Sequence, residues 1–210
     1  MKRFSLLLLA LLFGLSSSLL AQQKLFIPMD ASQRNHLKAY GIVFNYLKDG
    51  NSVQWLLNYK GGSFMAPYSD ELLRETRLKN VKAQTIGSAE ASQIISEVEQ
   101  PDVNTSVVQL DKAPKIAVYT PKQALPWDDA VTLALTYAEV EYDKVWDPEV
   151  LNGKLSEYDW LHMHHEDFTG QYGKFWVSYR NHPWYITQVN QMEKMAGELG
   201  YNKVSRREKR

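Results

Sequence analysis

Short apolar runs alternate with stretches of helical spacing along most of this chain, and that alternation limits the folds open to it. Residues 24–29, 53–59 and 81–86 read as strands, as do 115–119, 142–146 and 158–164. Between them, Leu37, Tyr40, Val43, Phe44 and Leu47 recur at helical intervals, with Asp30-Ala31-Ser32 as a candidate cap and Asp49-Gly50-Asn51 as a stop. Residues 67–80, 88–99, 127–139, 148–155 and 183–199 read as further helices. Pro183 stands near the start of the last one and Gly200 just past its end. The strands are almost continuously apolar, as happens when helices cover both faces of a parallel sheet. The expected fold class is therefore α/β: alternating βα units in a doubly wound, mainly parallel sheet. A connector at 101–114, with two prolines, separates an N-terminal α/β region, 22–112, from a second one, 113–210.

The N-terminus reads differently. Met1-Lys2-Arg3 is basic, Leu6 to Leu20 is apolar with a Ser16-Ser17-Ser18 interruption, and Ala21 precedes Gln22. That pattern predicts a secretory signal peptide over 1–21 and a periplasmic or extracellular product, with no integral membrane segment after cleavage. Loss of Lys2 and Arg3 leaves 22 basic against 24 acidic side chains, a net charge of −2. Such a balance argues against a nucleic-acid partner and leaves an unknown small molecule or protein. There is no cysteine in the 210 residues, so these residues supply neither a disulfide nor a thiol nucleophile.

In a doubly wound sheet, ligands bind beyond the carboxyl ends of the strands. The densest chemistry there is Tyr158 to Phe175, with three of the chain's five histidines, His162, His164 and His165, followed by Glu166 and Asp167. His162 and His164 share one side of a strand. With Glu166, or with Asp167 or His182, they could hold zinc and activate water. Without metal, His164, His165 or Glu166 can serve as general base, with Asp167, Gly170, Gln171 and Tyr172 lining a ligand. The same residues also suit a purely structural strand end, with Gly170 and Gly173 turning the chain into the next helix. Lys122 and Asp128 follow the 115–119 strand and can face the same ligand, although Asp128 and Asp129 also suit a helix's first turn. Gly61-Gly62-Ser63 lacks the Lys-Ser/Thr of a phosphate loop, and neither G-x-G-x-x-G nor G-x-S-x-G occurs. No cofactor is expected, with zinc as the alternative.

Residues 24–30 (KLFIPMD), 55–64 (WLLNYKGGSF), 125–143 (LPWDDAVTLALTYAEVEYD) and above all 158–175 (YDWLHMHHEDFTGQYGKF) resemble an exported bacterial family commonly labelled asparagine synthetase B. The likeness runs from about residue 24 to 204. A glutamine-hydrolysing synthetase would require an N-terminal cysteine nucleophile and a Ser-Gly-Gly-x-Asp-Ser loop, and the chain has neither. The second half is instead similar to class I glutamine amidotransferase-like domains, which have flavodoxin-like sheets. That resemblance implies a nucleophile elbow on a later strand, beyond Arg210, and hence a truncated, non-catalytic member with an exposed sheet edge.

Overall fold

The computed structural model describes residues 23–163 and 171–200, without the side chains of Asp128, Gln171 and Tyr172. The described residues form two compact units, the first up to Ala113 with Tyr137–Val140, and the second comprising Pro114–Thr136 and the described residues from Glu141 onward. No helix among the described residues is long and apolar enough to cross a membrane.

The first unit runs β1 (Lys24–Ile27), α1 (His36–Lys48), β2 (Val53–Leu57), β3 (Ser63–Pro67), α2 (Asp70–Leu78), β4 (Gln84–Ile86), α3 (Ser88–Val98) and β5 (Ser106–Leu110). Its five strands lie in the order β4-β1-β3-β2-β5, and every pair is antiparallel. The expectation of a parallel sheet fails in this half. The cause is β3, a strand beyond those expected, which directly follows the Gly61-Gly62 turn. It pairs Phe64 with Ile27 on one side and with Trp55 on the other, so it separates β1 from β2. The elements from β1 to β4 then have the βαββαβ connectivity of the split β-α-β motif.

Continuous apolarity has a different origin here from the one expected. Leu25, Ile27, Val53, Phe64 and Ala66 pack against Ala39, Ile42, Val43 and Leu47 of α1 and Leu72 of α2. The intervening Phe26, Leu56 and Met65 pack against Ala91, Ile94 and Val98 of α3. Both faces are covered, so both sets of alternate side chains are apolar whatever the strand direction. The caps also differ in part. Asn35, not Asp30-Ala31-Ser32, caps α1 by accepting from the Lys38 amide at 3.2 Å. Asp30 instead closes its own turn by accepting from the Ser32 amide at 2.9 Å. Ser69 caps α2 as its sequence position suggests, accepting from the Leu72 amide at 3.0 Å. Ser88 is the first residue of α3 rather than its cap, which is Gly87.

Tyr137–Val140 completes the first unit. Glu139 sits at φ 61° and accepts from Lys38 at 2.5 Å and Lys79 at 2.7 Å, while Asn45 donates to its carbonyl at 3.0 Å. The carbonyl of Ala138 takes the space that a Cβ on Gly41 would need, 1.7 Å away. Hydrogen bonds from Lys38 and then Lys79 lower the Glu139 carboxyl from 4.5 to about 2. Because the folded value lies below the ordinary one, the clasp contributes fully above about pH 4.5 and is lost as pH falls toward 2. The side chain is 51% exposed, so solvent screening limits the contribution to about 1 kcal/mol. The unfolding free energies of the wild type and Glu139→Gln, read from urea titrations, should differ by that much at neutral pH and converge at the acid end. A constant gap would show that the carboxylate charge is not what holds the segment.

The second unit contains β6 (Ile116–Tyr119), all but the last two residues of α4 (Ala130–Ala138), β7 (Asp143–Val145), α5 (Asp147–Leu151), β8 (Trp160–His162), α6 (Gln171–Tyr179) and α7 (Pro183–Glu198). Its three strands are parallel in the order β7-β6-β8. Here the parallel expectation holds. Helix α6 adds to the expected elements, and Gly173 lies inside it rather than in a turn before it.

Candidate ligand site at the carboxyl edge of the parallel sheet

The chain leaves β6 for β7 on one side, then crosses back to β8 on the other. Strand order therefore reverses at β6, and the loops after β6 and β8 diverge from neighbouring strand ends. Val118 pairs with His162 and Tyr119 with Val145, so these ends lie level across the sheet.

The loop after β6 is pinned along its length. The Thr120 amide donates to the Val145 carbonyl at 3.0 Å, and the Ala124 amide to Pro121 at 3.0 Å. Lys144 donates to the Ala124 carbonyl and to that of Lys122 at 3.4 Å. The buried Thr132 hydroxyl donates to Pro126 at 2.8 Å. Held this way, the loop presents Lys122 at the carboxyl edge, 68% exposed, with its ammonium 2.5 Å from Glu149. The carboxylate of Glu149 is only 15% exposed, and it also accepts from the Trp146 amide at 3.0 Å at the start of α5. The hydrogen bond from Lys122 is the main cause that holds the Glu149 carboxyl below its usual range. Beside them, Tyr119 donates to Asp147, and its ring stacks on Trp146 with centroids 4.6 Å apart.

Of the residues singled out from sequence, Lys122 and His162 are both at this edge. His162 ends β8, and its ring meets that of Trp160 edge-on at 6.4 Å. By strand alternation His162 and Tyr119 lie on opposite faces of the sheet, because His162 is in register with Val118, the residue before Tyr119 on β6. Asp128 is in the 3₁₀ turn Pro126–Asp128 before α4, while Asp129 accepts from the Val131 amide at 2.8 Å in a capping position. Gln171 and Tyr172 open α6. His164, His165, Glu166, Asp167 and Gly170 lie outside the described residues. Among the described residues, no group of three or more His, Cys, Asp or Glu could hold a metal. Two members of the expected zinc set, His164 and Glu166, are outside that search. His182 precedes α7 as its cap, with its ring 5.4 Å from that of Tyr179.

Four residues of this edge are absent from the set expected from sequence: Tyr119, Trp146, Asp147 and Glu149. They have a signal, because residues 145–149 (VWDPE) directly follow a strand, where a ligand loop belongs. Their acidic side chains read equally well as a helix start, and that hides them. The Gly61-Gly62-Ser63 turn, by contrast, bonds inward, with the buried Ser63 hydroxyl donating to the Tyr59 carbonyl at 2.9 Å.

No family model, curated protein or solved structure matches this chain.

Proposed function

We propose that this is an exported ligand-binding protein without catalytic turnover. Its second unit represents the opening of a flavodoxin-like, class I glutamine amidotransferase-like sheet. The single observation that carries the reading is the parallel order β7-β6-β8. Numbered from the start of the unit this is 2-1-3, the order that opens a flavodoxin-like sheet, whose ligand site lies at the strand-order reversal. The binding wall then comprises Lys122 and Asp128 after β6, with His164, His165, Glu166, Asp167, Gly170, Gln171 and Tyr172 after β8. Lys122 and Glu149 offer opposite charges to a small polar ligand. The reading without turnover rests on the nucleophile: the 210 residues contain no cysteine and no serine elbow to attack an amide.

A metal-dependent hydrolase built on His162, His164 and Glu166 is the alternative, favoured by the position of His162 at the very end of β8. Zinc would lower the pKa of a bound water there. The two readings separate by calorimetry on the chain from Gln22 onward, with L-glutamine and with zinc as probes. The binding reading expects saturable glutamine uptake with no ammonia release. Lys122→Ala and His164→Ala should each weaken that uptake about tenfold, the loss of one charge-assisted hydrogen bond. Zinc uptake at one ion per chain, abolished by His162→Ala/His164→Ala, would replace it with the hydrolase.

A further inference from the structure

The antiparallel sheet ends on two unlike edges. On one side β4 has three residues, Gln84–Ile86, and a strand that short blunts an edge. On the other side β5 has five, Ser106–Leu110, each in unbroken register with a residue of β2. It carries none of the devices that close an edge: Ser106–Leu110 has no charged side chain, no proline and no bulge. Among the described residues its backbone bonds only to β2, so its outward N–H and C=O groups form an open ladder. The strand itself is well anchored. Just before it, Asn58 donates to the Asn104 carbonyl at 2.8 Å and the Thr105 hydroxyl to the Val98 carbonyl at 2.7 Å. Val107 packs into the α3 side of the core and Leu110 into the α1 side. The side chains are thus held in place while one row of backbone groups is left for another strand.

The residues of β5 and its flanks indicate which strand. Every pair in this sheet is antiparallel, and a strand paired antiparallel with its own copy closes about a two-fold axis. Only an axis at Val108 overlaps all five residues. It sets Val108 beside Val108 of the second copy, Val107 opposite Gln109, and Ser106 opposite Leu110. Continued outward, the same register sets Thr105 opposite Asp111 and Asn104 opposite Lys112. No like charges meet, and each charged side chain faces an uncharged polar one. The edge is therefore complementary to itself. We propose that β5 is a dimer interface, at which two copies of this chain join edge to edge through Ser106–Leu110 into one continuous antiparallel sheet. This surface belongs to the first unit and is independent of any ligand at the ends of β6, β7 and β8.

The test is sedimentation equilibrium of the chain from Gln22 onward over a wide range of concentration. A dimer should form as concentration rises. Val108→Lys and Val108→Glu each place like charges on the two-fold axis and should weaken that dimer about tenfold or more. Mixed in equal amounts, the two variants should restore it, because Lys then faces Glu; misfolded variants could not be rescued in this way. Hydrogen exchange of the unsubstituted chain needs no variant. The amides of residues 106–110 should gain protection as concentration rises, while those of 84–86 at the other edge should not. A chain that is monomeric at every concentration would overturn the proposal and leave the edge to a strand of a different protein. So would a dimer that both variants preserve, which would place the interface on another face, such as the exposed aromatics of α6 and α7. Two folded variants that stay monomeric when mixed would overturn it as well.

Discussion

Gly61→Ala should destabilise the first unit by about 3 kcal/mol. Two independent causes add. Gly61 adopts φ +81°, a left-handed conformation that costs an alanine about 1–2 kcal/mol. A Cβ there would also stand 2.2 Å from the Met29 carbonyl oxygen and 2.5 Å from its carbon. Those atoms belong to backbone held in place, because the Met29 amide donates to the Lys60 carbonyl at 3.0 Å. The turn therefore cannot swing away without breaking the link between the end of β1 and the β2–β3 connection. Gly50→Ala supplies the comparison, with φ +83° and nothing within 4 Å of its Cβ, so only the conformational cost applies. Hydrogen exchange of β1 and β3 peptides should accelerate about a hundredfold in Gly61→Ala and about tenfold or less in Gly50→Ala. Equal acceleration in the two would remove the close approach as a cause.

The second large effect is at Gln33, whose buried amide ties three stretches of backbone together. Its nitrogen donates to the Pro28 carbonyl at 2.7 Å and the Lys82 carbonyl at 3.2 Å. Its oxygen accepts from the Lys82 amide at 2.8 Å and the Arg34 amide at 2.9 Å. One side chain thus joins the chain after β1, the start of α1 and the approach to β4. Gln33→Ala leaves these backbone groups without the amide, and an unsatisfied buried group costs about 1–3 kcal/mol. A loss of about 3 kcal/mol is expected, read as a lower urea midpoint. Gln33→Glu keeps the acceptor but brings a carboxylate against two carbonyls, so it should also be destabilised, and less so in acid, where the carboxyl can donate. A Gln33→Ala chain of wild-type stability would show that water replaces the amide at no cost.

The positions of most elements are legible in the residues, because periodicity reports burial and burial is what makes these helices and strands. Leu37 to Leu47 and Pro183 with Gly200 mark α1 and α7 to within a few residues. Strand direction is not legible. An apolar strand such as residues 24–29 reports that both faces are covered, and antiparallel β1 between α1 and α3 meets that condition as well as a parallel strand does. The deciding element is β3, five residues ending in proline, too short to show a period of its own. Gln33 is equally hidden, since nothing in its neighbourhood distinguishes a buried glutamine from a solvated one. At the sheet edge the loop positions are legible and the pairings are not. Lys122 can be placed after β6, but its partner Glu149 follows a different strand, and only the register brings them to 2.5 Å.

The proposed ligand site lies at the carboxyl ends of β6, β7 and β8. The most direct measurement is a titration of ¹⁵N-labelled chain from Gln22 onward with L-glutamine, L-aspartate, inorganic phosphate and zinc, read as amide shift changes. At least one probe should move the amides of Thr120, Lys122, Trp146, Glu149 and Met163 together, while Lys115 and Asp159 at the opposite strand ends stay still. Shifts confined to those opposite ends, or to the first unit, or none with any probe, would contradict it.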